Sequence, residues 1–394
     1  MDRADVLVVG GGLTGCATAF HLARAGASVI LIEAGELNGG ASGQNAGSLH
    51  FQIERRFLEN GEALAEQATR VLALNRLAVA DWQGLQAMFD DDLEIVMDGG
   101  LMVAETAAEV AQLQRKVVRE QAMGLATRLI GGDELRGLAP YLATTIQAAS
   151  WLGSEGHANP RTIARVFARA AIADGVDVRT RTVLTGATKH HGGYAVDLAS
   201  GDVATTVQAD RVLLATGAAT ATVGALFNLH LPIFPAGLTM NITDRRPQFL
   251  PHLVQHVGRR LSMKQAHSGN VLIGGGWSST LRKSPTGGFD VSRPPELQLA
   301  SVQGNLRAAV DTVPAVASLN IIRSWTGIVA LTVDQLPIVG QVAPGLFVAA
   351  GGSGFTLGPT FARLLAAQMA GSQPAPELAI FGPGRFDHLN GFMG

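Results

Sequence analysis

Three glycines spaced Gly10-x-Gly12-x-x-Gly15, with Glu33 placed 23 residues after the first, are the residues best suited to chemistry in this chain. Gly10 permits a tight turn. Gly12 lets the backbone approach a pyrophosphate, and Gly15 lets a helix pack closely on a strand. The free N–H groups and dipole at a helix N-terminus favour phosphate there, beside Leu13 and Thr14. A carboxylate at the end of the following strand, Glu33 with Ala34 after it, accepts hydrogen bonds from ribose hydroxyls. The pattern is weak alone. Here it follows an apolar run at 5–9, opens a helical pattern at 16–25 closed by Gly26, and leads to a second apolar run at 27–33. The combination predicts a βαβ unit that binds a dinucleotide.

The remaining reactive residues are sparse. The single cysteine, Cys16, lies in the first turn of the fingerprint helix. A helix N-terminus can activate a thiol, but this face packs on the sheet, so a buried spacer is expected. One cysteine allows no internal disulfide and no cysteine-based cluster, and no metal site is expected. A second glycine group, 274–276, has Ser279 three residues on and no helical pattern after it, so it reads as a strand end.

The 394 residues suffice for one large or two intimate domains, and 47% are apolar. A net charge of −2 with both signs interspersed argues against nucleic acid as a partner. Residues 212–234, the most apolar long stretch, are broken by Gly217, Gly224, His230 and Pro232. They read as strand, loop and strand rather than as a membrane span. The first strand begins within five residues, which leaves no room for a signal peptide. A cytoplasmic protein is expected.

The positioning elements follow from periodicity. Residues 54–89 read as a long amphipathic helix and 93–103 as strand with a turn at Gly99-Gly100. Residues 107–124 read as helix, and another helix starts at 131–134 with Asp133 as its cap. Residues 160–175 read as helix and 176–179 as strand. Antiparallel strands follow, with a turn at His191-Gly192-Gly193. Residues 210–217 form a buried strand, 295–310 a helix, 346–350 a last buried strand and 360–370 a helix. The βα pattern thus recurs at the start, middle and end. An α/β fold follows, with a Rossmann-type domain assembled from distant pieces and interleaved with a mixed α+β domain. The expected bounds are 1–53, 150–225 and 323–394 for the first, 54–149 and 226–322 for the second.

From residue 39 the sequence resembles a known family. Gly39-Gly-Ala-Ser-Gly-Gln-Asn-Ala-Gly-Ser48 is similar to the second FAD contact of the FAD-dependent D-amino-acid oxidase superfamily, the group with glycine oxidase and sarcosine oxidase. Further stretches agree. They are Glu155-Gly-His-Ala-Asn-Pro160, the strand ending Ala215-Thr216-Gly217, Trp325-Thr-Gly327 through Thr332, Asp334, Pro337 and Gly340, and Gly352-Ser-Gly-Phe-Thr-Leu-Gly-Pro359. Within the superfamily, 45–52, 155–160 and 352–359 look closest to opine oxidase B, hydrogen cyanide synthase and proline or hydroxyproline dehydrogenase β subunits.

The resemblance implies FAD held by Gly10, Gly12, Leu13, Thr14, Gly15, Glu33 and Ala34, then by Ala41, Ser42, Gln44, Asn45, Ala46, Gly47 and Ser48. Val183, Ala215, Thr216, Gly217 and Gly327 follow, and Gly352, Ser353, Gly354, Phe355, Thr356 and Leu357 complete the set. It implies hydride transfer from the carbon beside nitrogen to flavin N5, then imine hydrolysis, with no acid–base dyad required. His50, Lys264, Trp325 and Thr356 are the candidate groups around the reacting ring. For His50 a loop role, for Lys264 a solvated face and for Trp325 a core role are the alternatives. Two departures matter. Val329 stands where many members carry a carboxylate-gripping Arg, and Ser353 where many carry His. Arg323, Lys264 and Arg282 are the candidates to replace the Arg. The resemblance implies an amino-acid or amine substrate and partner subunits carrying FMN, FAD or iron–sulfur clusters. An electron-relay or assembly protein without its own amine substrate is the alternative.

Overall fold

The computed structural model describes residues 2–59, 61–190, 192–285 and 287–386, so His191 of the expected turn and residues 387–394 lie outside it. The chain divides into two compact units. One comprises Met1–Gln44, Pro160–Ala236 and Ile328–Gly394, the other Asn45–Asn159 and Gly237–Gly327.

The first unit is built on a sheet of eight strands. Strand β1, Asp2–Val9, is central and pairs in parallel with Val203–Leu214 on one side and with β2, Val29–Ile32, on the other. Asp177–Arg179 extends the parallel set beyond β2, and Leu346–Ala350 extends it beyond Val203–Leu214. Ile338–Ala343 closes that edge antiparallel, and the hairpin Val183–His190 and Gly193–Ser200 adds to Val203–Leu214. The reason for the parallel centre is legible in β2, whose four residues Val-Ile-Leu-Ile are all buried. A strand apolar on both faces is stable only with layers on both sides. Helix α1, Leu13–Arg24, supplies one such layer with small residues Gly15, Cys16, Ala17 and Ala19, all buried. Phe20 of α1 meets Phe167 of helix Ile163–Ala173 edge to face, ring centroids 5.6 Å apart.

The second unit holds a nine-stranded sheet. Gly100–Ala104 pairs antiparallel with Ala148–Leu152 and parallel with Leu253–His256, which pairs antiparallel with Ser262–Gln265. Its core gathers Leu101, Val103, Ile130, Val254, Met263 and Ile273. Helix Ala107–Ala122 begins with a reciprocal capping box between Thr106 and Glu109.

Several local expectations change. The helix expected over 54–89 is three helices, Arg55–Leu58, Glu62–Thr69 and Leu72–Leu85, separated by Gly61 with φ +98° and by a turn at 70–71. Asp133 is not a cap: it sits inside Gly132–Leu138, whose cap is Gly131. The loop in 212–234 contains a short helix, Thr220–Ala225.

The chain crosses between units at 44/45, 159/160, 236/237 and 327/328, whereas the sequence places the crossings at 53/54, 149/150, 225/226 and 322/323. Two causes are visible. Residues 47–52 are hydrogen bonded to 155–158, and 148–152 is a strand of the second sheet. Asn45, Ala46, Gly47, Ser48 and Gly327 consequently belong to the second unit.

Candidate functional site

In the first unit the turn after β1 is set by close backbone approach. Gly10 has φ +111°, and a side chain there would drive into the Ala215 carbonyl. A side chain at Gly15 would collide with the Gly10 carbonyl, so α1 leaves the turn as tightly as it does only with glycine there. Gly12 is different. Its φ of −78° suits any residue, and an added Cβ would meet only Ser42, Oγ at 3.0 Å. Gly12 is therefore glycine for space, which is what a ligand phosphate needs. Gly12 caps α1 without a side chain, and Leu13 N–H donates to Ser42 Oγ at 3.0 Å.

Glu33 directly follows β2 and accepts from two backbone N–H groups, Gly11 at 2.7 Å and Gly35 at 2.8 Å. It fixes the turn that carries the fingerprint. The stretch leading to Val183 runs beside it: Arg181 N–H donates to Gly35 and Thr182 N–H to Glu33. Ala34 is exposed and Ala41, Ser42 and Gln44 form the short helix Ala41–Gln44. Ala215 N–H donates to Val9, so 215–217 lies against the Gly10 turn. Gly352–Leu357 forms the turn before helix Gly358–Met369, with Ser353 at φ +57° and Leu357 N–H bonded to the Ser353 carbonyl. Thr356 and Leu357 are buried. At Gly358 an added Cβ would lie 3.2 Å from Leu13 and 3.3 Å from Thr14, so this second helix N-terminus abuts the first. Sequence reasoning missed three residues here. Gly11 has no room for a side chain beside Glu33 and Leu37. Asn38 (φ +65°) donates N–H to Gly11 and Nδ2 to the carbonyls of Pro160 and Arg161. The third is Gly358. The expected role of Cys16 as a buried spacer fits its position, since burial pushes its thiol up to about 12.

These features accommodate a dinucleotide: two helix N-termini with glycine where phosphate would approach, and a strand-end carboxylate. A parallel sheet carrying that turn between its central strand and first helix defines a dinucleotide-binding fold. The chain matches the family model described as DAO, FAD dependent oxidoreductase, over residues 5–368, and belongs to that family. Its cofactor is FAD and it is an oxidoreductase. It is 28% identical over 385 residues to a glycine oxidase from Geobacillus kaustophilus, covering 96% of each chain. It is 24% identical over 396 residues to the B subunit of opine oxidase from Agrobacterium tumefaciens, covering 98% of each. The crystal structure of glycine oxidase from Geobacillus kaustophilus superposes with a TM-score of 0.81 at 25% identity, covering 98% of this chain and 99% of that one.

The second unit holds the other candidates. His50 sits between two residues opposite each other on adjacent strands, Gln255 and Ser262. Gln255 Nε2 lies 2.8 Å from His50 Nδ1 and Ser262 Oγ lies 3.1 Å from Nε2. An amide nitrogen only donates, so the network assigns the proton to Nε2, which donates to Ser262. Desolvation lowers the His50 pKa below its usual value. The ring is held neutral with both nitrogens engaged, the geometry of an orienting residue. Lys264 lies two residues beyond Ser262 on the same strand face. It is 3% exposed and donates to the Ala158 carbonyl at 3.3 Å. Burial brings its pKa down to about 7. His157, bonded to the Gln265 backbone and close to Lys264, is pushed down to about 3 by burial. Trp325 lies on strand Ile321–Thr332 beneath the Arg323 guanidinium, 5.6 Å from the ring centre. Gly327 follows on the same strand. Trp277 donates Nε1–H to the Arg260 carbonyl at 2.7 Å.

Beneath His50 lies a network the sequence did not disclose. Glu155 Oε1 accepts Phe51 N–H at 2.8 Å and Gln52 N–H at 2.9 Å, while Oε2 accepts Gln52 Nε2 at 2.8 Å. Lys116 Nζ donates to Gln52 Oε1 at 2.7 Å, Glu120 Oε2 at 2.9 Å and Ser150 Oγ at 3.0 Å. Glu120 accepts Ile53 N–H at 2.6 Å, and Asn75 donates to the Phe51 carbonyl at 2.8 Å. Lys116, Glu120 and Glu155 are fully buried. Burial raises the Glu155 carboxyl to about 7 despite these donors. Every backbone N–H from Phe51 to Ile53 thus ends on a buried carboxylate.

Proposed function

We propose that this chain oxidises an amino acid or a secondary amine, of the glycine, proline or opine kind, by removing hydride from the carbon beside nitrogen. The observation that carries the reading is the pair of full-length relatives whose names specify glycine and opines. When bound, FAD supplies the two-electron acceptor at N5. The glycine turn, Glu33, Ser42, 45–48, Val183, 215–217, Gly327 and 352–357 are the residues proposed to hold it. The unit bearing the fingerprint is the FAD domain and the other unit the substrate domain. His50 orients rather than transfers a proton, because Gln255 and Ser262 engage both its nitrogens. Trp325 and Thr356 act by shape, since misplacing a reacting C–H by about 1 Å costs roughly 100-fold. The imine product hydrolyses in water. Partner subunits that carry electrons onward are proposed from the name of the opine oxidase relative, a B subunit. Contact with a membrane is through such partners: no helix among the described residues is long and apolar enough to cross one.

The test is anaerobic bleaching of the flavin by proline, hydroxyproline, sarcosine, glycine and opines. Loss of the oxidised flavin band with at least one of them is expected. Bleaching by dithionite but by none of these refutes the catalytic reading and favours the electron-relay alternative.

A further inference from the structure

Arg385 lies in the short 3-10 helix Pro383–Phe386 of the first unit, and the function proposed above makes no use of it. Its side chain is 15% exposed. A guanidinium has five N–H donors, and here all five have acceptors. Nε donates to Asp334 Oδ2 at 2.8 Å, and Nη2 donates to the Leu336 carbonyl at 2.8 Å and to Asp334 Oδ1 at 3.3 Å. Nη1 donates to the carbonyls of Phe381 at 2.8 Å and Gly382 at 3.1 Å. A planar fork filled on both sides is a clamp between two stretches of chain, 334–336 and 381–382, rather than a surface charge.

The clamped stretch is tight. Gln335 has φ +61°, and its N–H donates to the Thr332 carbonyl at 3.1 Å. Asp334 Oδ1 accepts Leu336 N–H at 3.2 Å and lies 2.8 Å from the Thr332 hydroxyl. Pro337 comes next, and a side chain added at Gly351 (φ +136°) would drive into it. The strands that follow Pro337 and precede Gly351 are antiparallel partners, with Ile338 opposite Ala350. What Arg385 grips therefore adjoins the turn 351–357. That turn holds another non-glycine residue in the left-handed region, Ser353 at φ +57°. Such conformations persist only where the surroundings over-determine them. The same C-terminal stretch also reaches the helix beyond the turn. Phe381, fully buried, meets Phe361 of Gly358–Met369 edge to face, ring centroids 5.4 Å apart. Residues 376–386 thus touch the chain both before and after the turn.

We infer that Arg385 is a positioning residue for the flavin: through Asp334 and Leu336 it fixes the backbone at 336–337 against Gly351, and so holds the turn 352–357 in the form that binds FAD. This rests on the proposal above that 352–357 contact FAD, and it adds a residue 28 positions beyond that turn on which the contact depends. With the clamp open, the binding-competent turn is one conformation among several, and the apparent affinity falls by the fraction that stays competent.

The experiment uses the full chain and measures the FAD dissociation constant, the visible circular dichroism of the bound flavin and the urea unfolding transition. Arg385→Met is expected to weaken FAD by about 10- to 100-fold, the scale of a hydrogen bond to a charged group, and to alter the flavin dichroic band. Arg385→Lys keeps the charge on Asp334 without the fork, and recovers part of the affinity and the parent band. Asp334→Asn weakens FAD comparably, and its combination with Arg385→Met is little weaker than either single variant, because both open one clamp. Tyr194→Phe is the structural control. Tyr194 O–H donates to the Pro344 carbonyl at 3.0 Å, at the other end of the same two strands. This variant lowers stability and leaves FAD affinity and the dichroic band unchanged. Gly354→Val tests the turn itself: an added Cβ lies 3.5 Å from the Gly351 carbonyl, an ordinary contact, so the turn folds with its surface filled and FAD is lost. Parent-like FAD affinity and dichroism in Arg385→Met overturn the inference, as does a double variant as weak as the product of the singles. Equal FAD loss in Tyr194→Phe also overturns it, since affinity then merely follows stability. If Gly354→Val loses FAD and Arg385→Met keeps it, the inference alone fails. If Gly354→Val keeps FAD, the assignment of 352–357 fails and the inference with it.

Discussion

Replacing Lys116 with Met tests how the buried network under His50 is held together. The substitution keeps the aliphatic stem and removes one charge with three hydrogen bonds, to Gln52, Glu120 and Ser150. Glu120 then retains its 2.6 Å bond from Ile53 N–H, while its carboxylate sits fully buried without the ammonium that balanced it. Breaking one side of such a pair costs about 3–5 kcal/mol, because the remaining charge is uncompensated. All four tryptophans, Trp82, Trp151, Trp277 and Trp325, belong to the second unit, so tryptophan fluorescence reports its unfolding separately from the first. With a urea slope of about 2–3 kcal/mol per molar, the midpoint moves down by about 1–2.5 M. The double variant Lys116→Met with Glu120→Gln removes both charges and keeps an acceptor for Ile53, and it recovers at least half the loss. A single-variant cost below about 1 kcal/mol, or a double variant worse than the single, refutes the argument that charge balance holds the network.

Other outcomes follow from the same geometry. Gly12→Val yields folded apoprotein, because its backbone tolerates a side chain while the space beside Ser42 proposed for phosphate does not. Full FAD content in the purified variant contradicts the placement of the phosphates. Glu33→Ala weakens FAD binding by at most about 3 kcal/mol per charged hydrogen bond lost, measured by equilibrium dialysis, and larger loss means the Gly11 turn itself has collapsed. Glu155 has a pKa raised from 4.5 to about 7, so its contribution to stability is complete below pH 4.5 and is lost as pH rises to 7. That loss is on the order of 3 kcal/mol. Urea unfolding at pH 5, 6 and 7 followed by tryptophan emission shows the decline in the parent, and Glu155→Gln removes it. Equal slopes in both contradict the assignment. Lys264, lowered to about 7, acts in the opposite sense and above that pH, so the two windows separate.

What the sequence disclosed and what it hid divide along physical lines. The Gly10–Gly15 turn and Glu33 are local: their meaning depends on spacing along one strand, one turn and one helix. Burial patterns of 29–32 and 346–350 are equally local, and both are strands. Lys116 and Glu120 instead look like an ordinary i,i+4 pair on a solvated helix face. Only the strand carrying Ser150 and the segment carrying Gln52, 98 residues apart, reveal them as core. Residues 54–89 read as one helix because the apolar period persists through the breaks at Gly61 and residues 70–71. Gly358 falls within a recognisable motif, but its reason, contact with Leu13 and Thr14, lies in a packing that no spacing encodes.

The order of strands in the first unit has a consequence for biosynthesis. Its central strand is made first, but the neighbour Val203–Leu214 and the strands at 338–350 emerge far later. At ribosomal rates of about 5–20 residues per second, roughly 20–70 s separate the fingerprint turn from the helix that abuts it. Until then the apolar faces of β1 and β2 have no complete sheet to join. The sheet of the first unit is thus completed only late in translation, after most of the chain has been made.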